Sequence, residues 1–292
     1  MKIGIYAKSV RDSKHEEGFR KLLLALESAG HEIWCTQSLV DYIHIHISSG
    51  ISLHAFQYCT PQKPLIDALI CVGGDGTLLD TISIVRNSQV PVLGLNTGRL
   101  GFLAGISIDG IQKAIQDIER GNYTLESRTL LHLESSEQMF DFPFALNDFV
   151  IHKKETSSMI VVHAYLNGEF LNSYWSDGLI VSTPTGSTGY SLSCGGPIIF
   201  PRSDSFVITP IAPHNLNVRP VVVSDAYVIS FEIEGRANSY LASLDSRSHS
   251  INGNVQMAIR RADHPLNLIR LEGDHFMDTL RNKLSWGFDK RN

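Results

Sequence analysis

The segment Leu69-Ile-Cys-Val-Gly-Gly-Asp-Gly-Thr77 constrains this chain more than any other. The run Ala68 to Val72 is short, partly β-branched and free of charge, the pattern of a strand buried in a parallel sheet. Gly73, Gly74 and Gly76 then open backbone conformations closed to other residues and let a ligand approach the main chain. From Thr77 to Val85 the apolar residues take helical spacing. A strand, a glycine-rich turn and a helix start, in that order, make an anion site, because free N–H groups and the helix dipole face the incoming charge. An aspartate inside such a turn is costly unless it holds a metal, orients a hydroxyl or takes a proton, so Asp75 is the first catalytic candidate and phosphoryl transfer the first chemistry to test. Two alternatives fail on spacing. A dinucleotide fingerprint read from Gly74 and Gly76 needs a glycine where Leu79 stands, and no Gly-Lys-Ser/Thr tripeptide closes a P-loop. A turn whose glycines serve packing alone, with Asp75 bonding its own backbone, stays open as the plain alternative.

Around this turn, residues 1–125 alternate strand and helix patterns. Met1 to Ala7 and His31 to Cys35 read as strands, as does Val90 to Leu95. Between them Phe19, Leu22, Leu23 and Leu26 mark a helix closed by Gly30, and Ser107 caps a second helix that ends at Gly121. This alternation predicts an α/β domain, a parallel sheet with flanking helices, whose ligands bind beyond the strand carboxyl ends. Over 126–265 the helical period gives way to short β-rich runs such as Ser158 to Tyr165 and Tyr227 to Ile233. Asn167-Gly168 and Asn252-Gly253 are hairpin turns in this reading, and the region is expected to be β-sandwich-like. Residues 266–292 form a C-terminal tail in this reading, with Asp274 to Leu284 returning to helix. His44 and His46 share one face of a possible strand and, without a third ligand, read as a polar face rather than a metal site.

Composition narrows the functions further. At 292 residues and 43% hydrophobic content the chain can build two ordinary cores. A net charge of −5, with Lys and Arg spread along the sequence, argues against a broad basic face for nucleic acid. Cys35, Cys59, Cys71 and Cys194 form no C-x-x-C pair, so reduced thiols and a cytoplasmic location are expected. No apolar run approaches the ~18 residues of a membrane span, and the start lacks a secretory apolar region.

Three more segments accompany the glycine turn: Asn96-Thr-Gly-Arg-Leu-Gly-Phe-Leu103, Leu146-Asn-Asp148 and Asp177 to Pro197, with Pro210 to Pro220 fitting the same pattern. Together they resemble the NAD kinase family, whose Gly-Gly-Asp-Gly-Thr turn is shared with diacylglycerol and sphingosine kinases. The tail from Phe276 to Trp286 looks like that family's terminal helix, which packs back on the first domain. The resemblance implies transfer of the ATP γ-phosphoryl group to the 2′-hydroxyl of NAD's adenosine ribose, with Asp75 aligning that hydroxyl and accepting its proton. It implies that Gly73, Gly74, Gly76 and Thr77 meet phosphate and that Gly76 and Phe102 border NAD; Arg99 is a candidate phosphate contact, with a solvated loop arginine as the equal alternative. By the same resemblance Asn147 and Asp148 bind ribose hydroxyls and adenine, Thr185, Thr188, Gly189, Tyr190 and Ser193 contact the nucleoside, Asp177 faces the nicotinamide end and Ala212 lines the site. Asp148 stands where the family has Glu and reaches one methylene less; Gly189 replaces a frequent Ala; Asp245-Ser-Arg247 replaces a frequent Asp-Gly-Gln. A divalent ion, Mg²⁺ by preference, and a homodimer or homotetramer are implied as well. Two rivals stay open. A lipid kinase would want a membrane-facing apolar surface, for which the sequence shows no basic amphipathic helix. A nucleotide sensor would bind without turnover.

Overall fold

A computed structural model describes residues 1–8, 13–47, 50–63, 65–98, 101–154, 159–235 and 239–285, with only the backbone for 13–15. The chain forms two compact units, one of residues 1–127 with 266–292 and one of residues 128–265.

In the first unit a sheet runs in the order Leu53–Phe56, Glu32–Thr36, Lys2–Tyr6, Ala68–Val72, Val92–Asn96, Leu266–Leu271, Tyr123–Arg128. The pairings among the first five strands are parallel, and Leu266–Leu271 joins Val92–Asn96 in parallel as well. Ala68–Val72 and Val92–Asn96 are buried at every position, which explains their unbroken apolar runs. Helix Ser13–Ser28 buries Phe19, Leu22, Leu23 and Leu26, and helix Ile111–Arg120 buries Ile111, Ala114, Ile115 and Ile118 in the same core. Ser107 caps a 3-10 turn, Ile108–Gly110, that leads into the latter helix, accepting from the Asp109 N–H. The final helix, Phe276–Leu284, buries Thr279 and Leu280. Arg270 ties this C-terminal segment together through Glu126 at 2.6 Å and Asp274 at 3.0 Å.

The second unit is two six-stranded sheets. One runs Val221–Ser224, Ser205–Ile211, Gly178–Ser182, Asp148–Lys153, Tyr240–Leu244, Arg247–Ile251; the other runs Glu169–Ser176, Ile160–Leu166, Ile229–Gly235, Met257–Arg261, Leu131–Ser135, Phe144–Ala145. The pairings are antiparallel. One apolar core takes Phe149, Val181 and Phe206 from the first sheet and Val162, Phe231 and Ile259 from the second, so the sheets face each other as a sandwich.

Three expectations are corrected. The helix after the glycine turn is not continuous: it divides into Asp75–Asp80 and Ile82–Val85 around buried Thr81, whose hydroxyl donates to the Leu78 carbonyl at 2.6 Å. His44 and His46 lie not on a strand but in a π-type turn, Ile43–Ile47, with His46 stacked on Tyr42. Asn167-Gly168 makes the expected hairpin with positive φ at both residues, but Asn252-Gly253 links strands of different sheets. The tight hairpin nearby turns instead at Asp245-Ser246, where Leu244 pairs with Arg247. A two-residue turn without glycine gave the sequence reading nothing to hold.

Candidate active site

In the first unit the chain moves outward from Lys2–Tyr6 to Glu32–Thr36 and then crosses to Ala68–Val72 on the other side of the first strand. Such a reversal opens a crevice beyond the strand carboxyl ends. The glycine turn follows Ala68–Val72 directly, its Gly73 N–H donating to the Leu95 carbonyl at 2.8 Å. Gly73 has φ +154°, and a Cβ there would lie 2.4 Å from the Thr77 hydroxyl oxygen, so the chain itself requires glycine. Gly74 and Gly76 differ. Both are exposed, neither has positive φ, and among the described residues nothing lies within 4 Å of where a Cβ would stand. The described residues leave open space at those two positions.

Asp75 does not have a bare carboxylate. Phe102 N–H donates to Oδ2 at 2.8 Å, and Leu103 and Ala104 N–H donate to Oδ1 at 3.0 and 3.1 Å. The carboxylate passes so close to Gly101 that a Cβ there would be 1.9 Å from Oδ1. The electrostatic cost that the sequence raised for an aspartate in this turn is thus met by three charge-assisted bonds from a loop 27 to 29 residues away. An ionised carboxylate offers about four acceptor positions, which leaves one for a further donor. Phe102 is half-buried, 6.5 Å from the Phe276 ring, with the Lys283 ammonium 5.9 Å from its centroid. Arg99 lies outside the described residues.

In the second unit Asp148 opens the strand Asp148–Lys153, while Asn147 sits in the bend before it. The bend lets the two adjacent polar side chains avoid the opposite faces that a continuous strand would impose. Asp148 is 7% exposed, and burial, helped by the charge of Asp245, pushes its carboxyl up to about 7. Asn147 Oδ1 is buried without a hydrogen-bond partner, a cost that a folded chain rarely leaves standing. Gly189 is next to both: a Cβ on it would lie 3.4 Å from Asn147 Nδ2 and 3.9 Å from Asp148 Oδ2.

The loop Thr183 to Gly189 is clamped to this bend. Thr183 donates its hydroxyl to the Leu146 carbonyl at 2.6 Å and its N–H to the Asn147 carbonyl at 2.9 Å. Gly186 crosses so near that a Cβ would lie 2.1 Å from the Asn147 carbonyl oxygen. Several hydroxyls of this segment therefore hold the loop. Thr188 donates to the Thr185 carbonyl, and Thr185 Oγ1 accepts from buried Arg128 at 3.2 Å. Tyr190 and Ser193, in the short helix Tyr190–Ser193, are exposed. Burial, Cys194, Asp148 and Asp177 together push the Tyr190 phenol up. Asp177 pairs with Lys153 at 2.6 Å. Ala212 is exposed with φ +44°, a conformation costly for alanine, at the end of strand Ser205–Ile211. Arg128, Lys153 and Asp245 were not among the sequence candidates; each acts on a partner far along the chain, and only Asp245 stood in a recognisable motif.

Among the described residues no three His, Cys, Asp or Glu side chains converge as a metal site. No helix among them is long and apolar enough to cross a membrane. All four cysteines are free.

Two family models match the chain. Residues 52–123 match the ATP-NAD kinase N-terminal domain and residues 146–271 the ATP-NAD kinase C-terminal domain. An NAD kinase of Flavobacterium johnsoniae is 51% identical over 295 residues, covering 100% of both chains, and one of Cytophaga hutchinsonii is 46% identical over 93% of both. In fold the chain is similar to a yeast NADH kinase solved with NADH, at TM-score 0.87 and 21% identity over 99% of this chain and 88% of that one. It is also similar to an NAD kinase from Archaeoglobus fulgidus solved with ATP, at TM-score 0.73 and 24% identity over 98% of each.

Proposed function

This chain belongs to the ATP-NAD kinase family and phosphorylates NAD to NADP, and from that premise we propose how its residues divide the reaction. ATP is the donor, and its γ-phosphoryl group passes to the 2′-hydroxyl of the adenosine ribose. The oxygen–phosphorus bond to ADP breaks as the new one forms, and the hydroxyl proton must leave. Asp75 receives that hydroxyl at its remaining acceptor position. Its three backbone donors hold the carboxylate in place, where it aligns the hydroxyl and accepts its proton as the phosphoryl group transfers. Gly73, Gly74, Gly76 and Thr77, with Arg99, meet the phosphates; the open space at Gly74 and Gly76 supports this, since no contact among the described residues requires glycine there.

Asn147 and Asp148 hold the nucleoside, with Thr185, Thr188, Gly189, Tyr190 and Ser193 around it, Phe102 and Gly76 bordering it, and Asp177 and Ala212 toward the nicotinamide end. The orphaned Asn147 Oδ1 beside a buried carboxylate carries this reading, because a ligand donor relieves a cost the chain leaves unpaid. A divalent ion, Mg²⁺ in this proposal, would accompany the donor phosphates and neutralise their charge, as Mg²⁺ commonly does in kinases. The enzyme works in the cytoplasm as a homodimer or homotetramer, free of membrane and nucleic acid. Incubating the purified protein with ATP, Mg²⁺ and NAD, and detecting NADP with an NADP-specific dehydrogenase, tests the reaction directly. NADP that forms without added ATP, or none with it, defeats the proposal.

A further inference from the structure

The hairpin turn at Asp245-Ser246 carries more than a hairpin needs. Asp245 has φ +51°, where Gly or Asn would sit at lower cost. Its carboxylate accepts the N–H groups of Leu146 at 2.9 Å, Asn147 at 2.7 Å and Asp148 at 3.2 Å, and its own N–H donates to the Asp148 carbonyl at 3.0 Å. Two residues on, Arg247 donates to the Phe142 carbonyl at 2.5 Å and to the Phe144 carbonyl. One hairpin thus grips the segment 142–148 by its carbonyls at one end and its amides at the other. At the amide end stand Asn147, with its orphaned oxygen, and Asp148.

We propose that Asp245 and Arg247 are positioning residues, a clamp that sets the Asn147-Asp148 pair at the reach needed to receive the ribose of NAD. The clamp gives the shorter Asp148 side chain a fixed backbone to act from. It also places one carboxylate near another. The titratable and charged groups facing Asp148 are Asp245 from the turn and Tyr190 from the short helix, with Arg247 acting on Asp245. Removing the charge of Asp245 therefore favours ionised Asp148, while loss of mere fold support would not.

This inference rests on the ribose role proposed for Asp148, and one set of measurements separates the two. Initial rates of NADP formation are taken for wild type, Asp245→Asn, Arg247→Gln and Asp148→Asn across the neutral pH range, with melting curves for each. For Asp245→Asn the expected result is a KM for NAD raised roughly tenfold or more, an unchanged KM for ATP, and an acid limb of kcat/KM for NAD displaced to lower pH. An unmoved limb, or equal changes in both KM values, overturns the clamp. If Asp245→Asn does not fold, Arg247→Gln decides: a raised KM for NAD alone supports the clamp, and wild-type values sink it. A normal KM for NAD in Asp148→Asn would instead sink the ribose role, and the clamp with it.

Discussion

Asp75 and Asp245 each gather three consecutive backbone N–H groups onto one carboxylate, Phe102 to Ala104 in the first unit and Leu146 to Asp148 in the second. The donors match in number and nearly in distance, yet the surroundings differ. Asp75 stands in a turn where Gly74 and Gly76 leave open space. Asp245 is half-buried, as Asp75 is, but its carboxylate faces the backbone of 146–148, and burial is the largest influence on its carboxyl, which rises to about 6 despite its three donors and Arg247. A carboxylate nest is therefore not by itself a sign of catalysis or of structure. What lies on the carboxylate's far side decides: a gap that a substrate hydroxyl can enter, or the backbone of residues that do the binding.

The comparison breaks most visibly at Asp75. Asp75→Asn replaces one acceptor oxygen with a donor that faces backbone N–H, and it also removes the charge that aligns the hydroxyl. A fall in kcat of about a hundredfold or more is expected, with a destabilisation of roughly 1–3 kcal/mol from the unpaired N–H groups. Steady-state kinetics and a melting curve check both. Full kcat with a lowered Tm would reduce Asp75 to a structural latch, like its counterpart in the sandwich.

Asp148→Asn sharpens the second half. Its carboxyl is raised to about 7, first by burial and then by Asp245. The folded state therefore holds a proton that the unfolded chain releases at an ordinary carboxylate pKa. Stability from this group is present at low pH and is lost as pH rises through about 7. The neutral amide removes that loss, so the variant should melt higher than wild type at alkaline pH and converge with it in acid, while its KM for NAD rises about tenfold. In the wild type the KM for NAD should climb as pH falls below 7, as the ribose acceptor is protonated. A variant no more stable in alkali would mean that Asp148 is not held against its charge.

The glycine turn supplies a smaller effect. Gly76→Ala meets nothing within 4 Å among the described residues and lies in the first turn of helix Asp75–Asp80, so stability should be unchanged or raised by about 0.5–1 kcal/mol. A KM for ATP raised several-fold without loss of stability would locate phosphate at this backbone. An unchanged KM would return the turn to packing. This difference from Gly73, which the fold itself requires, was invisible in the sequence, where the three glycines look alike.

What the sequence made legible were features written in contiguous residues. Ala68–Val72, the turn after it and the alternating elements of the first unit follow from local patterning. The break at Thr81 did not, because buried Thr81 fits helical spacing while its hydroxyl bonds the Leu78 carbonyl. Asp75 was legible as a candidate, but its three donors were not, since they lie across a loop that only the folded sheet brings near. Asn147 and Asp148 were likewise legible as candidates, while the residues bonded to them, Thr183 and the Asp245 hairpin, were visible only as motif letters. Spacing reveals which groups can act; long-range hydrogen bonds decide which are free to.

Gly189→Ala should have the smallest effect. A Cβ here would lie 3.2 Å from the Gly186 carbonyl, 3.4 Å from Asn147 Nδ2 and 3.9 Å from Asp148 Oδ2. The methyl thus touches Asn147 and Asp148 without displacing backbone by more than a few tenths of an ångström. A change in KM for NAD below about threefold, worth roughly 0.6 kcal/mol, is expected, with Tm within a degree or two of wild type. The two nests give this small number its meaning. If the clamp holds Asn147 and Asp148 rigidly, a methyl pressed against them has nowhere to go, and the loop Thr183 to Gly189 must yield instead. A loss of tenfold or more in NAD affinity would show that the loop is as fixed as the clamp, and that the adenosine site tolerates no repacking from either side.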